Sequence, residues 1–178
     1  MRRDCGKGDV EHTDGDSQVK RITQAAAAGM LAVVAIPAAA QDEPAPAHDT
    51  AWHNLQQAAL AERSAQGWYY LPGGVLWRRV AGDGSGQRPT VRDTVTLHYA
   101  GTLVDGTEFD SSYGGRPATF PLGALIPAWQ LAVPQMAVGD TIEIAVPADL
   151  GYGPRGAGPI PGGATLLFKI ELLGIAGR

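Results

Sequence analysis

Residues 95–110, VTLHYAGTLVDGTEFD, constrain the fold more than any other stretch of the chain. Val95, Leu97 and Tyr99 alternate with Thr94, Thr96 and His98, the period of two of a half-buried strand. Asp105-Gly106 then supplies a tight turn, because glycine takes the positive φ that such a turn needs. A second extended piece follows and delivers Phe109 and Asp110. One small antiparallel unit therefore offers an aromatic hydroxyl, an aromatic ring and a carboxylate, and the chain downstream reads as built to close a pocket over them.

Downstream, Leu125, Ile126, Trp129, Leu131 and Val133 form a dense apolar cluster, and a short helix is expected over about 128–132, truncated or kinked by Pro134. DTIEIAVP (140–147) alternates as a strand, and LLFKIELL (166–173) is a closing strand with Phe168, Ile170 and Leu172 on one face. Between them runs a long Gly/Pro loop carrying Tyr152 and Ile160. Upstream, a Pro-Gly-Gly turn precedes VLWRRV, read as an edge strand. Leu97, Ile142, Ile144, Leu167 and Ile170 are read as core. The fold class is α+β, a curved antiparallel sheet of five to six strands wrapped around one short helix.

A further helix is expected over 52–67, from Trp52, Leu55, Ala59 and Arg63 at helical spacing, with Asp49 or Thr50 as N-cap and Gly67 as the stop. It is too short for a domain and is expected to pack on the sheet domain or to serve a homodimer. Residues 41–51 are a Pro/Ala-rich acidic leader. Val19-Lys20-Arg21, an apolar run and Ala38-Ala39-Ala40 have the pattern of a secretory signal peptide over 1–40; because residues 1–18 are polar and acidic, translation is expected to begin near Val19, the alternative being a long n-region. The apolar run, 25–36, is about half the ~20 residues of a membrane span, so a periplasmic protein is expected, the alternative being an inner-membrane anchor by an uncleaved signal. The domain proper is 68–178.

Charge and composition exclude several classes. A net charge of −4 gives no basic field for nucleic acid or anionic lipid. His48, His53 and His98 lack metal-ligand spacing, and Cys5, the single cysteine, lies in the segment expected to be removed or never made, so no metal and no disulfide framework are expected. The glycines of AGDGSGQRPT are not followed by Lys-Ser/Thr and a helix, which argues against a phosphate loop.

HYAGTLVDGTEFDSS, LIPAW, LGYG and GPIPGGATLLFKIELL, in this order, resemble the motifs of the FKBP-type peptidyl-prolyl isomerases over about residues 68–174, and most of all their bacterial periplasmic branch with a helical N-terminal extension. The resemblance implies a half-barrel sheet around a helix and an apolar pocket that takes a proline ring. It implies Trp129 as the pocket floor, Tyr99, Phe109 and Phe168 as walls, Leu125 and Ile126 as the aliphatic pair before the tryptophan, and Tyr152 and Ile160 as flap residues. Tyr152 would donate its hydroxyl to the substrate carbonyl, with the Ile126 N–H as a second donor. Asp110 would either polarise the twisted amide or brace Tyr99. The chain departs from the pattern between Ser112 and Pro117, where a residue is missing and Arg116 stands in shifted position. It departs again at Pro161-Gly162-Gly163, where a looser flap is expected.

These residues suit the chemistry. Rotation about a peptide bond has a barrier of ~18–20 kcal/mol, and for Xaa-Pro it takes tens of seconds or more. No bond breaks, so neither nucleophile, metal nor cofactor is called for. A dry aromatic box that binds the twisted amide better than either planar isomer suffices. The expected partners are unfolded or nascent proline-containing proteins, with macrolides of the rapamycin/tacrolimus type implied by the family likeness. The alternative is a non-catalytic periplasmic holdase using the same groove.

Overall fold

The structure, a computed structural model, describes residues 48–177; the expected signal peptide and most of the leader lie outside them. Helix α1 spans Thr50–Ala65. Asp49 caps it, its side chain accepting from the Trp52 N–H at 2.8 Å, which is worth about 1 kcal/mol. It ends in a Schellman turn: Gly67 takes φ +80°, its N–H donates to Ser64, and the Trp68 N–H reaches back to the Arg63 carbonyl. The helix therefore begins and ends two residues earlier than the apolar spacing alone suggested.

Seven strands follow: β1 (Tyr69–Tyr70), β2 (Leu76–Ala81), β3 (Thr94–Leu103), β4 (Glu108–Ser111), β5 (Ala118–Pro121), β6 (Thr141–Val146) and β7 (Leu166–Ile175). They form one antiparallel sheet in the order β1-β2-β6-β7-β3-β4, with β5 sharing the free edge of β3 beside β4. The expected α+β half-barrel is thus present with seven strands. VLWRRV is not an edge strand. The Pro72-Gly73-Gly74 turn, closed by Leu71 N–H donating to the Val75 carbonyl, folds Tyr69-Tyr70 back to cover its outer side.

The two ten-residue strands β3 and β7 form the middle of the sheet. Their alternation sets two faces. On the concave face, Val95, Leu97 and Tyr99 of β3, Ile142, Ile144 and Val146 of β6, and Phe168, Ile170 and Leu172 of β7 enclose helix α2 (Pro127–Ala132). Pro127 stands at the first turn of α2, where its missing N–H costs nothing, and Pro134 falls just beyond its end in a 3₁₀ turn. Each fully buried large side chain in this cluster contributes about 1.5–3 kcal/mol.

On the convex face lies a smaller cluster of Trp68, Leu76 and Ala145, with Leu60 of α1 and Leu167 packed against it. Leu167, expected in the main core, belongs here, because it alternates out of phase with Leu166 and Phe168. α1 thus packs on its own domain.

The glycine-rich loop after β2 is tied to one buried carboxylate. Asp140, 1% exposed, accepts from Arg79 Nε at 3.1 Å and from the backbone N–H groups of Gly84 at 3.0 Å and Ala137 at 2.8 Å. Gly82 passes so close that a Cβ there would lie 2.8 Å from the Asp140 Cα. The glycines that superficially suggested a phosphate loop allow the backbone to wrap an internal carboxylate instead. Replacing Asp140 by Ala removes the counter-ion of the partly buried Arg79, which keeps only its hydrogen bond to the Gln135 carbonyl, and leaves two N–H groups unpaired; it is expected to cost about 3 kcal/mol in chemical denaturation while the far-ultraviolet spectrum of the folded protein stays unchanged.

Candidate active site

The site is built on the β3–β4 hairpin. Its turn runs as expected through Asp105-Gly106, with Gly106 at φ +88° and the Asp105 carboxylate accepting from the Thr107 N–H at 2.9 Å. The register then sets Asp110 opposite Gly101, two residues beyond Tyr99. From there Asp110 Oδ2 accepts the Tyr99 hydroxyl at 2.6 Å, a short charge-assisted bond. Asp110 therefore braces Tyr99. Asp110 forms no ion pair among the described residues, and Arg116 is exposed.

Tyr99 begins a run of rings set edge to face. Tyr99 meets Trp129 at 5.4 Å between centroids, Trp129 meets Phe168 at 5.4 Å, and Phe168 meets Phe109 at 5.6 Å, with interplanar angles of 81°, 88° and 89°. Edge-to-face contacts of this kind add about 0.5–1.5 kcal/mol each beyond burial. Trp129, Tyr99, Leu125, Ile126, Phe168 and Ile160 are buried, whereas Phe109, Asp110 and Tyr152 are partly exposed and form the rim. The structure thus brings every residue singled out from the sequence into or against one cluster. Trp129 Nε1 is buried without a hydrogen-bond partner among the described residues.

Polar groups near the rim have defined states. The Tyr152 hydroxyl makes no hydrogen bond within the described residues and is not sealed from solvent. Burial, and then the negative charge of Asp110, push its pKa up to about 12. Tyr99 is raised further still, first by burial and then by its hydrogen bond to Asp110. Both phenols stay protonated across the physiological range. The Ile126 N–H, at the N-cap of α2, donates to no group among the described residues.

Three residues of the site were not singled out from the sequence. Gly101 has no room for a side chain: a Cβ would lie 2.6 Å from the Phe109 ring and 2.8 Å from the Phe168 ring. Its signal was present, since a glycine in the row of inward-facing positions 95, 97 and 99 marks a close approach. Ser112 holds Tyr99 from behind, its Oγ accepting the Tyr99 N–H at 2.9 Å. Phe120 adds a ring 6.2 Å from Tyr99.

The flap of residues 151–165 is more tightly bound than its glycines suggest. Ala157 and Ile160 exchange both backbone hydrogen bonds, and the Gly163 N–H donates to Gly153 at 2.9 Å. A separate groove of about 340 Å³ lies on the convex face between α1 and the sheet. Two of its charged groups pair across it: Arg78 meets Glu143 at 2.8 Å and also lies over the Trp68 ring. Among the described residues there is no group of side chains able to hold a metal ion.

The profile of the family described as FKBP-type peptidyl-prolyl cis-trans isomerase matches residues 85–173, half of the chain. The chain is 46% identical over 117 residues to the outer membrane protein MIP of Legionella longbeachae, covering 65% of this chain and 50% of that protein, so it spans about half the length of this relative. It is 50% identical over 95 residues to the FK506-binding protein 2 of Aspergillus fumigatus, covering 51% of this chain and 71% of that protein. A solved peptidyl-prolyl cis-trans isomerase from Pseudomonas syringae shares the fold with a TM-score of 0.66 and 30% identity, over 72% of this chain and 97% of that one. The profile match, the shared fold and the aromatic cluster at the β3–β4 hairpin agree: the chain belongs to the FKBP-type peptidyl-prolyl cis-trans isomerase family.

Proposed function

We propose that this chain accelerates cis–trans isomerisation of Xaa-Pro bonds in unfolded or nascent proteins. The observation that carries the reading is the run of edge-to-face rings from Tyr99 to Phe109, with a solvent-touching, unpaired Tyr152 hydroxyl at its rim. A proline ring lodged against Trp129 and walled by Phe109 and Phe168 leaves the preceding amide in a dry setting, where loss of resonance is disfavoured less than in water. Tyr152 and the Ile126 N–H donate to substrate carbonyls and hold the twisted form. Asp110 acts through Tyr99, whose ring it fixes. Raising a rate of ~10⁻² s⁻¹ to ~10 s⁻¹ takes about 4 kcal/mol, which packing and one or two hydrogen bonds supply.

We place this activity in the periplasm, after cleavage following Ala40. The apolar run behind Lys20-Arg21 supports export, as does a relative named as an outer membrane protein. Macrolides of the tacrolimus type are expected to compete for the pocket, a relative being named an FK506-binding protein.

Exchange of a short Leu-Pro peptide, followed by NMR, tests the reading and separates it from a holdase, which suppresses aggregation without accelerating exchange. Acceleration is expected, with a loss of at least about 100-fold in Trp129→Ala and about tenfold in Tyr152→Phe, the latter corresponding to one hydrogen bond. A folded protein that leaves the exchange rate unchanged would sink the isomerase.

The pH profile tests the role of Tyr152. The protonated phenol is the donor, and a raised pKa keeps it protonated as pH rises past ~10, where an ordinary tyrosine ionises. The tyrosine contribution to stability is likewise complete below ~10 and is lost only as pH climbs toward the folded value of about 12. We expect kcat/KM to be flat from about pH 7 to 10.5; an inflection near ~10 that persists in Tyr152→Phe would remove Tyr152 as its source, and one that vanishes in that variant would show a phenol donor that burial and Asp110 do not shift.

Gly101→Ala tests the geometry of the walls. The added methyl must push Phe109 and Phe168 aside, so the variant is expected to fold, with a stability loss of about 1–3 kcal/mol, and to lose most of its activity. Full activity in that variant would show that the two rings are not part of the pocket.

A further inference from the structure

Helix α1 does more than cover the convex face: it reaches round to the base of the flap that carries Tyr152 and Ile160. Trp52, Gln56 and Ala59 fall at helical spacing on one face of α1. Gln56 is 4% exposed, and its Oε1 accepts the Thr165 N–H at 2.8 Å, while its backbone carbonyl accepts Thr165 Oγ1 at 3.4 Å. Thr165 is itself 2% exposed and stands just before β7, outside the ladder that begins at Leu166. Without Gln56 its N–H would be buried and unpaired. One turn earlier, Trp52 lies against Gly163, where a Cβ would sit 3.4 Å from the indole. Both grips fall on residues 163–165.

The flap transmits that grip because it is cross-linked within itself. Gly163 is bonded to Gly153, next to Tyr152, and Ala157 is paired with Ile160. Gly156, at φ +69°, allows this closure, since a Cβ there would lie 2.1 Å from the Ile160 carbonyl oxygen. The three contacts make 153–163 a unit whose attachment at 163–165 fixes where Tyr152 and Ile160 stand.

We propose that Gln56 and Trp52 are positioning residues for the substrate pocket, α1 acting as a clamp on the base of the flap. The clamp's effect on catalysis rests on the isomerase reading above; the grip on the flap does not. A flap held in place by α1 keeps the pocket in its binding form, and a weakened grip lowers the fraction of molecules in that form. Apparent affinity then falls by the same factor, while saturating peptide restores the competent state.

The full chain with Gln56→Met, which keeps the size of the side chain and removes its acceptor, tests this by amide hydrogen exchange and peptide kinetics. We expect the amides of Ala157, Ile160 and Gly163, which are hydrogen-bonded within the flap and not to Gln56, to lose protection by about fivefold, the factor of one ordinary hydrogen bond. KM for a short Leu-Pro peptide should rise about two- to fivefold with kcat nearly unchanged. Trp52→Leu, which leaves both Gln56 bonds intact, should move the same amides and KM in the same direction. Asp140→Ala, destabilised at a distance from the flap, should leave these amides relative to the core, and KM, as in the wild type. Flap amides at wild-type protection in both α1 variants, or a KM change that Asp140→Ala reproduces, would overturn the clamp. Failure of the wild type to accelerate peptide exchange would overturn the isomerase reading instead, and the amide exchange would then decide the clamp alone.

Discussion

The register between β3 and β7 is the constraint on which the rest depends. It sets Tyr99 opposite Ile170 and Gly101 opposite Phe168, so that the hydroxyl-bearing ring and the gap for the wall rings arise on the same concave face. A slip of one residue would turn Val95, Leu97, Tyr99 and Gly101 to the convex side together, and no local adjustment could restore them. The bulge between Thr96 and Leu97 adjusts the pairing near one end without disturbing the Tyr99–Phe168 region. β4 and β5 then divide the remaining edge of β3, and in the break between them Ser112 turns back to hold the Tyr99 backbone.

The sheet's two faces have different tasks. The concave face is continuous and apolar around α2, and the one buried carboxylate among the described residues, Asp140, lies just before β6, closing a loop rather than serving the pocket. The convex face carries a small apolar cluster near Trp68 and is otherwise charged, with Arg78–Glu143 and Lys169 along it. α1 covers the apolar part, and by lying there it comes within reach of Thr165 at the start of the flap. Helix docking and flap attachment thus follow from one placement.

Much of this was legible in the residues. The hairpin of 95–110, the short helix at Trp129 and the closing strand follow from alternation, a turn dipeptide and two prolines, all local signals. The sequence also brought together Tyr99, Phe109, Trp129 and Phe168, although only the family likeness, not spacing, assigned them to one place. What escaped depended on contacts between distant parts of the chain. Nothing near Leu76 shows that Tyr69-Tyr70 will fold over the strand's outer side. The alternation of β7 did place Leu167 off the Phe168 face, but a hydrophobic residue beside a buried strand is easily taken for core until a helix is known to cover the other face. Gln56, a polar residue on a helix, gives no local sign of burial, because its partner is 109 positions away.

On the proposed reading, Asp110 is a partly exposed carboxylate at the rim that serves a reaction transferring no proton. Its Oδ2 accepts the Tyr99 hydroxyl at 2.6 Å, and that ring packs edge-on against Trp129. A group tied in this way is poorly placed to act as a base, and amide rotation asks for none. Its negative charge instead raises both neighbouring phenols, keeping them as donors rather than acceptors. On the proposed reading the carboxylate contributes through geometry and field: it fixes one ring of the pocket and keeps the Tyr152 proton in place for the substrate carbonyl. The demand of only about 4 kcal/mol on the enzyme makes such indirect roles sufficient, since a dry, correctly shaped cavity with one retained donor already covers it.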